Sequence, residues 1–108
     1  MSGEISPTGL RVLREVAQAG SFSAAAQSLG YTQSAVSRQM AALEAVVGRP
    51  LFERGRRGVA LTAAGARLLP CAIRVLDELD AALRDNSNLV PAWKSHRERL
   101  KGLVDPPR

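Results

Sequence analysis

The chain has one cysteine, one histidine and four aromatic residues among its 108 positions. Each scarcity removes a class of protein. The lone thiol, Cys71, closes no intramolecular disulfide and fits a reducing compartment. One histidine and one cysteine build no zinc site without several carboxylates. His96 lies far down the chain, so no Ser-His-Asp set assembles, and there is no glycine-rich phosphate loop. The inventory therefore predicts no catalytic centre, no metal and no cofactor. No apolar run approaches the ~18 residues of a membrane span. The opening MSGEISPTGL lacks a basic then apolar leader, so a cytoplasmic location is expected. With aromatics at 4%, the core must come from Ala, Leu, Val and Ile, a composition that favours helices.

What is present is enough for one small folded domain. Apolar residues make up 45% and charged residues 23%, too apolar for intrinsic disorder. The net charge is +5, and it is focused. Residues 1–48 balance three arginines with three glutamates, whereas residues 49–67 set Arg49, Arg54, Arg56, Arg57 and Arg67 against Glu53 alone. The tail, 86–108, is also basic. A focused basic stretch points to a polyanion; the plainer alternative is a solvated loop.

Ser6-Pro7 reads as N-cap and first position of a helix whose apolar side holds Leu10, Leu13, Val16 and Ala17, ending at Gly20. Ser23 is the expected cap of a short alanine-rich helix closed by Gly30. Thr32 caps a third, from Gln33 to about Val46, with Val36, Met40, Leu43 and Val47 as its buried stripe. Its other side presents Gln33, Ser34, Ser37, Arg38 and Ala41. Two helices on a tight glycine turn, the second opening with short polar residues, have the form of a helix-turn-helix. Leu51–Arg54 and Val59–Leu61 read as two strands around the turn Gly55–Gly58, a hairpin with a basic tip. The expected fold is mainly α: a winged helix-turn-helix, with a three-helix core and a two-stranded wing, followed by a long linker helix.

Thr62 caps that last helix, expected from Ala63 to Arg84 with a kink at Pro70. Leu69, Ala72, Leu76, Leu79 and Leu83 form a heptad-like seam, widened by Leu68, Ile73 and Val75. A helix this apolar on so small a body predicts a second copy along it. Cys71 is expected as a buried small hydrophobe near the seam. Residues 86–108 form a tail in which Pro91–Lys101 is a candidate basic helix; Val90, Trp93 and Leu100 either pack it onto the dimer or are remnants of a truncated domain. The expected division is 1–62, 63–85 and 86–108.

Across residues 7–85 these features resemble a known family. Gly20-Ser21-Phe22-Ser23 with Ala25, Ala26 and Leu29; Thr32-Gln33-Ser34-Ala35-Val36-Ser37-Arg38-Gln39-Met40; Leu43-Glu44, Gly48, Leu51-Phe52 and Arg54; and Leu61-Thr62 with Gly65 are similar to the DNA-binding domain of LysR-type transcriptional regulators. Leu13 stands where an aromatic residue is common. The resemblance implies a bacterial, sequence-specific regulator that dimerises through the linker helix and sets two heads on an interrupted inverted repeat. Family members usually continue into an effector domain that nothing in this tail matches, so no small-molecule effector is expected.

Within that frame Gln33 suits an adenine edge, Ser34 and Ser37 a base or a phosphate, and Arg38 a phosphate or a guanine. Thr32 is a helix cap before it is a base reader. Tyr31 either reaches a phosphate or packs under the turn. Arg56 and Arg57 at the wing tip suit a narrow minor groove, and Arg54 a phosphate or an ion pair with Glu53. The expected partners are double-stranded DNA and a second copy of the chain. The competing reading is a protein-interaction module that forms mixed dimers with a longer relative.

Overall fold

Ser6 is extended, and its hydroxyl oxygen accepts the amide of Gly9 at 3.0 Å; Pro7 needs no acceptor, so helix α1 (Pro7–Ala19) begins there. The computed structural model describes residues 3–88 and takes its remaining helix boundaries from similar local chemistry. Helix α2 (Phe22–Leu29) is capped by Ser21, whose hydroxyl accepts from Ala24 at 3.0 Å. The expected cap, Ser23, lies inside the first turn. Gly20 ends α1 in the left-handed region, and the next residue out, Ser21, is already extended enough to start α2. Thr32 caps α3 (Gln33–Val47) by accepting the amide of Ala35 at 3.0 Å. Gly30 and Gly48 close α2 and α3 as Gly20 closes α1.

The three helices share one core. Leu10, Val12, Leu13 and Val16 of α1 are buried against Ala25 and Ala26 of α2 and Val36, Met40 and Leu43 of α3. The alanines bring α2 close to its neighbours. Val12 widens the buried side of α1 beyond the stripe expected from spacing, and Leu13 is fully enclosed. Each such side chain contributes about 1.5–3 kcal/mol relative to exposure.

The wing pairs β1 (Phe52–Gly55) with β2 (Gly58–Leu61) antiparallel, Phe52 opposite Leu61 and Gly55 opposite Gly58, so Arg56-Arg57 form the turn. Strand β1 starts one residue later than expected. Leu51 is fully buried, and its backbone is claimed elsewhere: its amide donates to Glu44 Oε2 at 2.8 Å and its carbonyl accepts from Thr62 N at 3.0 Å. The wing docks on the turn between α1 and α2 through Val59 N, which donates to the Gly20 carbonyl at 3.1 Å. Gly58, at φ +119, lies against that same carbonyl, and a Cβ there would collide with it.

Thr62 accepts the amide of Gly65 at 3.1 Å and donates to the Pro50 carbonyl at 2.7 Å, opening α4 (Ala63–Asn88). The helix continues through Pro70, four residues past its expected end at Arg84. The chain divides into two compact units at Leu76, inside α4, so the first half of this helix belongs to the head. Of the expected seam, Ala72 and Leu76 are 1% and 0% exposed in the core of a single chain, and Leu69 is half-buried against that core. A heptad pattern reports an apolar stripe without saying what covers it. Ile73, Val75 and Leu83 are the exposed large apolar residues of α4, and Leu79 is half-buried. Cys71 is exposed rather than buried, because its neighbour Ala72 takes the inward position and successive helical residues point about 100° apart. The expected tail helix, Val90, Trp93, Leu100 and His96 lie outside the described residues.

Candidate nucleic-acid interface

Helix α3 is built to turn a polar edge outward. Val36, Met40 and Leu43 fix its inner side, which leaves Gln33, Ser34 and Arg38 exposed and Ser37 half-buried on the outer one. Three of the four lie within the first five residues of the helix, where leading amides carry partial positive charge. The Thr32 hydroxyl oxygen is engaged with the amide of Ala35, so its position is that of a cap. Helix α2 is tied back to α1 by the Ser28 hydroxyl, which donates to Glu15 Oε2 at 2.8 Å. At the turn, Tyr31 N donates to the Ala26 carbonyl at 2.9 Å, while the Tyr31 residue is 40% exposed. Its ring is therefore not packed away under the turn.

The basic stretch is split by the fold. Arg54, Arg56 and Arg57 are exposed on the wing. Arg49 and Arg67 instead line a separate open cleft of about 570 Å³ with Ala63, Ala64 and Leu68, at the start of α4. Of the five arginines, only the three on the wing are grouped by the hairpin.

Of the two roles expected for Arg54, a phosphate contact or a pair with Glu53, the structure does not form the pair with Glu53. Adjacent strand residues point to opposite sides of the hairpin. The Arg54 guanidinium lies over the Phe22 ring, 5.2 Å from its centroid, and Phe22 meets Phe52 edge-on at 6.2 Å and 82°. Ser37, Ala41 and Glu44 of α3 line an open cleft of about 230 Å³ with Phe22, Phe52 and Arg54. A guanidinium and a serine hydroxyl thus border one gap between α3 and the wing. Glu44 is committed to the Leu51 amide. Sequence reasoning did not place Phe22 beside Arg54. The available signal was the rarity of phenylalanine: the chain has only two, and they meet.

The chain spans about a quarter of the length of several curated relatives it matches. It is 47% identical over 76 residues to the HTH-type transcriptional regulator DgdR of Burkholderia cepacia, covering 70% of this chain and 26% of that protein. It is 49% identical over 73 residues to a probable hydrogen peroxide-inducible genes activator of Mycobacterium avium, covering 68% and 24%. Among solved structures it resembles the CbnR DNA-binding domain in complex with DNA, at 42% identity and TM-score 0.69, covering 80% of this chain and 98% of that one. It also resembles the BenM DNA-binding domain on benA site 1 DNA, at 32% identity and TM-score 0.71, covering 78% and 98%. Residues 7–66 match the family model of bacterial regulatory helix-turn-helix proteins of the lysR family. With the three helices, the wing and the following helix all in that order, this chain belongs to the LysR family and carries its winged helix-turn-helix DNA-binding domain.

Proposed function

We propose that the chain binds double-stranded DNA as a sequence-specific LysR-type transcriptional regulator, with two copies set on an interrupted inverted repeat. One observation carries the reading: Gln33, Ser34, Ser37 and Arg38 lie on the outer side of α3, whose inner side is locked in the core. In the major groove, Gln33 and Ser34 reach base edges, and Ser37 and Arg38 fix the backbone or a guanine. Arg56 and Arg57 form the two-residue tip of the wing, a shape suited to the neighbouring minor groove. Arg54 sits at the gap between wing and α3 and takes a phosphate. Thr32 serves by capping α3. Two solved relatives are complexes of such domains with DNA, which supports the same partner here. The exposed Val75 and Leu83, which fall on one side of α4, supply apolar surface for a second copy. Leu79, half-buried, adds to it.

Protection mapping of genomic DNA bound by the chain tests this reading. The expected footprint is two symmetric patches, separated by one or more turns of the duplex. Binding that is uniform along DNA and disappears with salt would overturn it.

A further inference from the structure

We propose that Phe22 is a positioning residue for DNA binding, holding Arg54 over its ring so that the guanidinium meets a phosphate at the gap between α3 and the wing. The inference rests on the DNA-binding reading above and extends it to a residue on α2, outside both the reading helix and the hairpin.

The geometry has three parts. First, the Arg54 guanidinium is 5.2 Å from the Phe22 centroid, inside the range where a cation is attracted to an aromatic face. Second, Phe22 is itself fixed: it meets Phe52 edge-on at 6.2 Å, and it is half-buried at the first position of α2, directly after the Ser21 cap. Third, the gap beside the pair is open, and Ser37 of α3 lines it along with Arg54. An exposed arginine on a hairpin normally samples many rotamers, and ordering it on binding costs free energy. A ring beneath it removes part of that cost beforehand. A guanidinium attracted to an aromatic face still has N–H donors along its edges, which suit a phosphate's oxygens. Phe52, on the same strand as Arg54, ties the ring to the wing. The position of Arg54 is therefore referred to the end of α1–α2 rather than to the hairpin alone.

A double-mutant cycle on the full chain tests the role, read by titrating a random-sequence duplex over a series of salt concentrations. A phosphate contact is independent of sequence, so no operator is required. Phe22→Leu keeps apolar bulk and removes the aromatic face. It should weaken binding about two- to fivefold, the range of an exposed cation–aromatic contact. In an Arg54→Ala background the same change should have no further effect, because the ring acts only through the arginine. Phe22→Tyr keeps the face and should bind as the parent does. Melting of each variant without DNA separates loss of fold from loss of binding. Equal penalties for Phe22→Leu with and without Arg54 would overturn the positioning role while leaving DNA binding intact, and so would a Phe22→Tyr chain as weak as Phe22→Leu. A parent chain that bound no duplex would overturn the DNA-binding reading and this inference together.

Discussion

At the scale of single residues, Gln33 and Arg38 make opposite predictions although both are exposed on α3. Gln33 is a candidate for bidentate pairing with adenine, so Gln33→Ala should flatten the preference among bases at one position, by about 1–3 kcal/mol of discrimination. Competition among duplexes randomised at that position measures it; preference unchanged at every base pair would remove Gln33 from the readers. Arg38→Ala should weaken all duplexes alike and lower the slope of log affinity against log salt by about 0.9, the value for one lost phosphate contact. Both side chains were legible in the sequence because exposure on a helix follows its period, and the apolar stripe Val36, Met40, Leu43 tells which side is left over. The Arg54–Phe22 contact was not legible in the same way. It joins the start of α2 to a strand far along the chain, and no periodicity links two elements whose mutual placement is set by a third. Charge suggested a phosphate or the adjacent Glu53 for Arg54, and strand geometry turns Glu53 away.

At the scale of elements, the helix ends were largely readable, since Ser6, Thr32 and Thr62 each cap by the side-chain bond expected of them. The exception, Ser21 for Ser23, involves two serines of equal capping chemistry. The choice depends on where the Gly20 turn leaves the chain extended, which composition does not encode. The wing offers a sharper test. Gly58 combines positive φ with close approach to the Gly20 carbonyl, so Gly58→Ala is strained twice. The backbone conformation alone costs about 1–2 kcal/mol, and the collision adds to it by pushing β2 away from the Val59–Gly20 hydrogen bond. For a domain of this size the melting temperature should fall by roughly 5 °C or more. A Gly58→Ala chain as stable as the parent would show that the wing is not docked through this strand. Gly65 is under a related constraint: a Cβ there would strike the Leu51 carbonyl, so the start of α4 also depends on a missing side chain.

At the scale of the whole molecule, α4 has two kinds of apolar residue, those in the head's core and those left outward. The heptad-like spacing was visible, yet two of its five positions, Ala72 and Leu76, are consumed by the head's own core. A stripe at three- and four-residue spacing looks the same whether a neighbouring element or another molecule lies against it, and only the tertiary arrangement separates the two. The residues left outward are Ile73, Val75 and Leu83, at 36%, 45% and 54% exposed. Val75→Glu combined with Leu83→Glu should therefore give a monomer in sedimentation equilibrium, weaken DNA binding, and leave the melting of the head near its parent value, since neither side chain is part of the buried cluster. A variant that still sediments as a dimer would place the interface elsewhere. Ala72→Glu makes the contrast: it should destabilise the fold itself, because it buries a charge in a closed core.

Leu51 has a mechanical consequence. Its amide is held by Glu44 near the end of α3, its carbonyl by Thr62 at the start of α4, and its side chain is fully enclosed. The segment between α3 and β1 is therefore pinned at one residue to both helices, so a change at Leu51 bears on the seating of α3 and on the opening of α4 at once.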